Sequence, residues 1–130
     1  MKRFWMLLVL ILVVTLVLPA GPTQQATAQD QIVIYMQMGG NEGDPSVLAR
    51  TTGAREAAEH LGIDLHEQYS GWDPQTMIEQ FREAIAAVPD GIVIMGHPGE
   101  DAMAPLVDEA IELGIIVTSN NNPLPNIEAK

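Results

Sequence analysis

The stretch DGIVIMGHPGEDAMAPLVDEAIELGIIVTSNN, residues 90–121, decides the fold of this chain. Residues 91–96 form a short β-branched and apolar run bounded by glycine, which is typical of a buried strand. Apolar side chains at helical spacing follow, and Gly114 is the kind of residue that ends a helix. The predicted core stripe of this helix is Met103, Leu106, Val107, Ala110 and Leu113. Residues 115–118 are again apolar or β-branched, so the stretch predicts a strand-helix-strand unit of a parallel sheet.

The same alternation extends towards the N terminus. Residues 32–36 predict a fully buried strand, and residues 63–69 predict a shorter one. The intervening helices are predicted over about 46–61 and from Asp73, as N-cap, to Pro89. Their apolar stripes are Val47, Thr51, Ala54, Ala58 and Leu61 in the first, and Met77, Ile78, Phe81, Ile85 and Val88 in the second. The order β-α-β-α-β-α-β predicts an α/β fold, a parallel sheet with helices on both faces and a Rossmann-like, flavodoxin-like strand order.

The N terminus has the pattern of an export signal. Lys2 and Arg3 precede an apolar run from Phe4 to Leu18 that only Thr15 interrupts, and residues 26–28 form a small-x-small cleavage site. We therefore expect residues 1–28 to be a signal peptide and residues 29–130 to form the domain. An uncleaved membrane anchor is the alternative. The chain has no cysteine, which excludes both a disulfide framework and a lipid-modified cysteine.

The domain that remains after cleavage is strongly acidic. It carries four Lys or Arg side chains against seventeen Asp or Glu, a formal charge of −13. Such a surface repels nucleic acid and anionic lipid, so we expect neither as a partner and membrane contact only through the signal segment. A phosphate-rich ligand is disfavoured for the same reason.

Polar side chains follow each predicted strand. Because parallel strands joined by right-handed crossovers end at one edge of the sheet, these loops should meet there. They offer neutral amides, one aromatic ring, one imidazole and few charges: Asn41, Asp44, Trp72, His97, Asn120, Asn121 and Asn122. Amides donate and accept hydrogen bonds as hydroxyl groups do, and an indole can lie against the apolar side of a sugar ring. The inventory suits a neutral polyhydroxy ligand.

Most of these residues also have a purely structural explanation. The glycines of residues 39–43 can serve a tight turn, and this loop lacks both the G-x-G-x-x-G pattern and the lysine of a nucleotide site. Trp72 can cover the sheet edge, His97 can be an exposed turn residue, and residues 120–122 can form a turn before Pro123.

The acidic residues near the helix starts also have a structural explanation. Asp44 can cap the first helix, and Glu100 or Asp101 can cap the third.

Signatures of catalysis and of metal binding are absent from the sequence. There is no G-x-S-x-G motif, and His60 and His66 lack the spacing of helical metal ligands. We therefore expect a protein without catalytic activity, cofactor or metal.

The chain resembles the type I periplasmic binding proteins, the solute receptors of sugar-type ABC transporters, over about residues 30–123. The runs AIAAVPDGIVI and AIELGIIVTSNN carry the resemblance, together with the export signal. In that family they mark the third strand, third helix and fourth strand of the N-terminal lobe. Members have two α/β lobes that close on the ligand like a clamshell. The resemblance implies that residues 29–130 are one such lobe, incomplete, and that the chain as given is a fragment that binds its ligand weakly or not at all.

The resemblance also implies which residues contact the ligand. They are Gly40, Asn41, Trp72, His97, Asn120 and Asn121. Two positions depart from the family pattern, because Ser46 and Val47 stand where many sugar receptors have aromatic residues, and His97-Pro98 replaces a charged pair. The ligand is therefore open among pentoses, hexoses, polyols and small signal molecules.

The function expected from these features is that of an exported, periplasmic or extracellular, solute-binding protein that delivers a sugar or similar ligand to an ABC transporter permease. The extracellular sensor lobe of a membrane receptor is one alternative. A secreted enzyme of flavodoxin-like topology is another, and nothing in the loops favours it.

Overall fold

The computed structural model describes residues 31–125 of the 130-residue chain. Within these residues, strands and helices alternate in the order predicted from the sequence. The elements are β1 Val33–Gln37, α1 Pro45–Leu61, β2 Asp64–Gln68, α2 Pro74–Ala87, β3 Gly91–Ile94, α3 Glu100–Glu112 and β4 Ile116–Ser119. The predicted signal peptide, residues 1–28, lies outside the described residues and stays a prediction. No helix within residues 31–125 has the length and apolarity needed to cross a bilayer.

All four strands form one parallel sheet with the order β2-β1-β3-β4. In register, Ile34 of β1 lies beside Gly91 of β3, and Gly91 lies beside Ile116 of β4. The chain leaves β1 to one side to form β2 and then returns to the other side to form β3. The strand order therefore reverses between β1 and β3, as the predicted flavodoxin-like order requires.

The larger core lies on the face of the sheet that α2 and α3 cover. Phe81 of α2 and Ile92 and Ile94 of β3 are fully buried at its centre. The other buried members are Ala84, Ile85, Met103, Leu106, Val107, Ala110, Ile115 and Leu124. Because α2 and α3 pack side by side, this face carries a continuous layer of apolar side chains.

The opposite face carries α1 and a smaller core, which consists of Met36, Met38, Val47 and Met95. Thr51 of α1 is also buried, and its hydroxyl donates to the carbonyl oxygens of Leu48 and Val47 within the helix. The predicted arrangement of helices on both faces is thus confirmed, with the two faces unequally covered.

The prediction that the whole of each helix stripe faces the core and that the strand of residues 32–36 is fully buried was wrong in detail. The last apolar residue of each predicted helix stripe is exposed: Leu61 by 71%, Val88 by 58% and Leu113 by 49%. All three lie at the carboxyl ends of the helices: Leu61 is the last residue of α1, and Val88 and Leu113 are the C-cap residues of α2 and α3. Ile32 and Ile116 are also exposed, by 51% and 69%, and both line an apolar cavity to which α1 contributes no lining residue.

The three helices begin differently. Asp73 caps α2 as predicted: its Oδ1 accepts from the Thr76 N–H at 2.7 Å, and this hydrogen bond holds the pKa of Asp73 below its usual value. Asp44 occupies the N-cap position of α1 without a capping hydrogen bond from its side chain. Glu100 and Asp101 do not cap α3, because Gly99 is the N-cap residue. Both lie in the first turn of the helix, where the negative charge of a carboxylate interacts favourably with the positive end of the helix dipole.

Candidate functional site

The carboxyl ends of β1 and β3 meet at the point where the strand order reverses, and the residues that follow them are mostly buried. Met38, Gly39 and Gly40 follow β1, and Met95 and Gly96 follow β3. In open parallel sheets this is the crevice where ligands bind. The loop after β2 reaches over it and brings Trp72 onto the two strand ends.

The indole of Trp72 lies directly on glycine backbone. A Cβ atom added to Gly39 would lie 2.5 Å from Trp72 Cζ3, and one added to Gly96 would lie 2.7 Å from the same atom. A Cβ on Gly40 would lie 3.2 Å from Trp72 Nε1. These atoms belong to both rings of the indole. The plane of the indole therefore extends across the ends of β1 and β3, and the contact is not limited to one edge of the ring. It remains 49% exposed.

Backbone hydrogen bonds fix this position. The Trp72 N–H donates to the Gly39 carbonyl at 2.6 Å, and the Gly71 N–H donates to the Gly40 carbonyl at 3.1 Å. The buried Ser70 hydroxyl donates to the Gly39 carbonyl as well. Trp72 has a positive φ of 64°, a conformation that is uncommon for a non-glycine residue. The loop after β2 is therefore tied to the loop after β1 by three hydrogen bonds.

Asn41 belongs to the same cluster. Its backbone N–H and its side-chain amide both donate to Asp44 Oδ2, at 2.9 and 3.2 Å. Its Oδ1 lies 3.2 Å from the position of a Cβ on Gly71. The structure thus brings Gly40, Asn41 and Trp72 together, and it gives Asp44 the role of shaping the loop after β1.

His97 presents a buried donor. Its Nδ1 accepts from the Gly99 N–H at 3.1 Å, so Nε2 carries the proton of the neutral ring. Nε2 is buried and has no hydrogen-bond partner among the described residues. Gln37, 2% exposed at the end of β1, is similar: its amide nitrogen donates to the Met77 carbonyl at 2.8 Å, while its Oε1 lacks a partner in residues 31–125. Buried polar atoms normally have partners, and a bound ligand or water can supply them.

The loop after β4 supplies Asn120 and Asn121, and both are exposed. The Asn120 N–H donates to the Ile94 carbonyl at 2.7 Å, which holds this loop against the end of β3. Asn121 has a φ of 76° and its Oδ1 accepts from Arg50 Nη2 at 3.1 Å. The side chain of Asn121 is therefore engaged with α1, whereas that of Asn120 stays exposed beside β3.

Sequence reasoning missed four residues that shape this edge: Gly39, Gly96, Gln37 and Arg50. A polar Gln inside an otherwise apolar strand was a usable signal, as was a basic residue one turn into α1 in so acidic a chain. Gly39 and Gly96 carried no signal of their own, because a glycine after a strand is ordinarily explained by a turn.

A second polar cluster lies away from this edge, along the outer side of α1 and β2. There a cavity of about 590 Å³ is lined in part by Glu42, Arg55, Glu67 and Tyr69, and it includes none of the predicted ligand residues. The Arg55 guanidinium pairs with Glu67 at 2.5 Å. Burial, with the Glu67 hydrogen bond, raises the pKa of Tyr69 to about 12. Across residues 31–125, no three His, Cys, Asp or Glu side chains are grouped as a metal site would require.

The sequence also matches a family model, that of the periplasmic binding protein domain, over residues 39–130. This match covers most of the chain and includes every loop described above. The chain belongs to the periplasmic binding protein family. No curated protein sequence matches it.

Solved structures of similar fold are solute receptors. One is an ABC transporter solute binding protein from Burkholderia multivorans with an unknown ligand represented as alpha-D-erythrofuranose, at a TM-score of 0.60 and 26% identity. Another is the 5-methylthioribose transporter solute binding protein from Thermotoga lettingae TMO in complex with 5-methylthioribose, at 0.56 and 27%. A third, at 0.58 and 22%, is the periplasmic binding protein component of the arabinose ABC transporter from Shewanella sp. ANA-3, bound to alpha and beta-L-arabinofuranose.

Each of the three matches covers only part of this chain and only part of the solved structure. They cover 76%, 68% and 67% of this chain, respectively, but only 35%, 27% and 28% of the other chains. This chain therefore spans about a third or less of the length of the solved receptors it resembles. The fold of one lobe is shared, and the similar proteins are binding components of transporters.

Proposed function

We propose that the protein is an exported solute-binding component of an ABC importer and that its ligand is a small sugar. The observation that carries the proposal is the half-exposed indole of Trp72, which lies across the carboxyl ends of β1 and β3. It supplies an aromatic surface at the point where open α/β sheets bind ligands. The Burkholderia and Thermotoga proteins, both above 25% identity, support a sugar-like ligand.

The polar groups around the indole suit hydroxyl groups. The His97 Nε2–H is a buried donor without a partner among the described residues, and a ligand hydroxyl can accept from it. Asn41 and Asn120 add exposed amides, and a Cβ atom added to Gly40 would lie 3.2 Å from the indole nitrogen. Asn121 acts less directly, since its amide oxygen holds Arg50. The proposal assigns these groups to binding alone; none of them is a nucleophile with an adjacent base.

The residues described here form one wall of such a site. We propose that the opposite wall comes from a second lobe, as the small share of each solved receptor that this chain covers suggests. A single wall buries only part of a ligand, so affinity of this lobe alone should be weak. Hinge closure of two lobes would supply the rest.

A nuclear magnetic resonance titration suits so weak an interaction. The ¹⁵N-labelled protein is titrated to millimolar concentrations of ribose, arabinose and glucose, with sodium chloride as an ionic control. We expect shifts at the Trp72 indole N–H and at the amides of Gly39, Gly40 and Gly96, and none at Glu56 or Glu59 on the outer side of α1. Uniformly unchanged spectra in all sugars would contradict a sugar ligand, and shifts confined to α1 would contradict the site.

Export is tested separately by the mass of the protein recovered from its cellular compartment. A mature chain that begins at Gln29 is expected for a released binding protein. An intact Met1 in the membrane fraction would instead support the sensor lobe of a receptor, with residues 4–18 as its anchor.

A further inference from the structure

We propose that Gly39 and Gly96 form a glycine seat for the Trp72 indole, and that this seat makes the site select cyclic sugars over open-chain polyols. The inference rests on the proposed function, since it names the class of ligand that the same site takes. It assigns a positioning role to two glycines that are not themselves expected to touch the ligand.

The first step is the fit between the ring and the two strands. Trp72 Cζ3 would lie within 2.7 Å of a Cβ atom on either Gly39 or Gly96, closer than real Cβ contacts allow. A Cβ on Gly96 would also lie 3.5 Å from the Gly39 Cα, so the two glycines are neighbours across β1 and β3. Any side chain at either position would displace the indole from the strand ends.

The second step concerns why glycine stands at each position. Gly39 has a φ of +79°, so its backbone alone favours glycine. Gly96 lies outside the left-handed region, and its backbone would accept any residue. The space taken by the indole is therefore the requirement that the structure shows for glycine at position 96.

The third step is that the backbone of Trp72 is held at the same place. The Trp72 backbone N–H donates to the Gly39 carbonyl at 2.6 Å, so the residue that carries the ring is tied to the residue that seats it. Trp72 as a whole remains 49% exposed at the edge of the sheet. The floor of the site is consequently an aromatic surface that is packed on the glycines and open to a ligand.

Such a floor distinguishes between ligands that offer the same hydroxyl groups. A sugar ring holds several C–H groups on one face, and this face can stack on an indole. An alditol such as ribitol has the same hydroxyl pattern on a flexible chain, and it must lose rotational freedom to present any face. Stacking between two aromatic rings is worth about a factor of two to ten in affinity, and we take this range as the upper bound for a sugar ring on an indole. We expect a preference of that size for ribose over ribitol and for arabinose over arabinitol.

The decisive variant is Gly96→Ala, because it adds one methyl group under the ring at a position whose backbone accepts alanine. Gly53→Ala is the matched control: a Cβ there meets nothing within 4 Å, and the residue lies in α1 away from the site. Both are made in a Trp5→Phe background, so that tryptophan fluorescence reports Trp72 alone.

The seat is tested without any ligand. Gly96→Ala should shift Trp72 emission to longer wavelength and raise its quenching by acrylamide, whereas Gly53→Ala should leave both unchanged. Equal emission and quenching in the two variants would overturn the seat. If Gly96→Ala fails to fold by circular dichroism, Gly96→Ala with Trp72→Ala should restore folding, because the methyl group then has room; failure of the double variant would overturn the seat as well.

The selection is tested by the titration of the parent protein with ribose, ribitol, arabinose and arabinitol. Weaker binding of both alditols, together with a two- to tenfold loss of ribose affinity in Trp72→Ala, is the expected result. Equal affinity for sugar and alditol would overturn the selection while leaving a polyhydroxy ligand in place. If none of the four compounds binds, the proposed sugar function and the selection fail together, and the ligand-free comparison still decides the seat.

Discussion

The two faces of the sheet differ sharply in how they are covered. The buried apolar cluster under α2 and α3 has eleven members around Phe81 and Ile92, whereas the cluster under α1 has four, three of which are methionines. On the α1 face, Ile34, Gly91 and Ile116 lie side by side in register and line a shallow apolar cavity of about 330 Å³. The same four strands thus support one closed core and one partly open surface.

The difference shows that the α2/α3 face contributes most of the buried core, whereas the α1 face leaves part of its apolar surface exposed. The branched and aromatic side chains of the α2/α3 face have defined rotamers and pack densely. The methionines Met36, Met38 and Met95 have flexible side chains that adapt to an irregular space. We therefore expect substitutions to lower the free energy of unfolding most on the α2/α3 face and less under α1. At the open part of the α1 face they should change it very little.

The largest expected effect is that of Phe81→Ala. Phe81 is fully buried between α2 and the sheet, and its removal leaves a large cavity in the closed core. The free energy of unfolding should fall by about 3–5 kcal/mol, measured by urea denaturation followed by circular dichroism. Leu113→Ala, at the exposed end of α3's apolar stripe, is the control and should cost far less.

Met38→Ala probes the smaller core. Met38 is also fully buried, yet its neighbours Met36 and Met95 can move into the space that it leaves. We expect a loss of about 2–3 kcal/mol, at the low end for buried methionine. A loss equal to that of Phe81→Ala would show that the two faces contribute equally to the free energy of unfolding. It would contradict the proposed difference between them.

Asp73→Ala tests the N-cap of α2, one of the two helices on the closed face. The loss should be smaller than either core substitution and should depend on pH, because the folded-state pKa of Asp73 is lowered by the Thr76 hydrogen bond. The stabilisation is fully present above the ordinary aspartate value of about 4 and is lost as the pH falls through the lower folded value. The measurement is the denaturation midpoint of the wild type and of Asp73→Ala between pH 2 and pH 7. The difference between the two midpoints should shrink as the pH falls.

Asp73→Asn is the matched control, since its amide oxygen can still accept from Thr76 without carrying a charge. It should retain much of the stability, and its advantage over Asp73→Ala should not change with pH. A wild-type advantage over Asp73→Ala that persists unchanged at pH 2 would contradict the assignment of the cap.

The smallest expected effect is that of Ile116→Thr on the open surface. Ile116 is 69% exposed, and threonine keeps the β-branched shape that a strand favours. The free energy of unfolding should change by no more than about 0.5 kcal/mol in denaturation experiments. A loss above about 1 kcal/mol would show that something covers this residue in solution and that the two faces are more alike than residues 31–125 indicate.

Much of the fold followed from periodicity alone. The alternation of apolar runs and helical stripes predicted all seven elements, and Asp73 with Pro74 located the start of α2. The exposure of Leu61 and Ile116 did not follow, because a hydrophobic pattern states which side chains can be buried. It does not state how far a neighbouring helix extends over them.

The candidate site was predicted less completely. Topology placed Gly40, Asn41 and Trp72 at one edge, and the structure brings these three together. The seat of the indole on Gly96 depends on how the loop after β2 turns at Trp72, whose positive φ no rule for tryptophan suggests. The ligand roles of all six predicted residues stay predictions, including those of Gly40, Asn41 and Trp72.

The strand order has a consequence for how the chain can fold. β2 pairs with β1, β3 pairs with β1, and β4 pairs with β3, so the partner of every later strand precedes it in the sequence. Each βα unit can therefore dock as soon as it is available to a sheet that has already begun, whether during synthesis or after passage through a membrane. No newly formed strand after β1 has to wait for a partner that lies later in the sequence, which shortens the time during which both of its edges can pair with another chain.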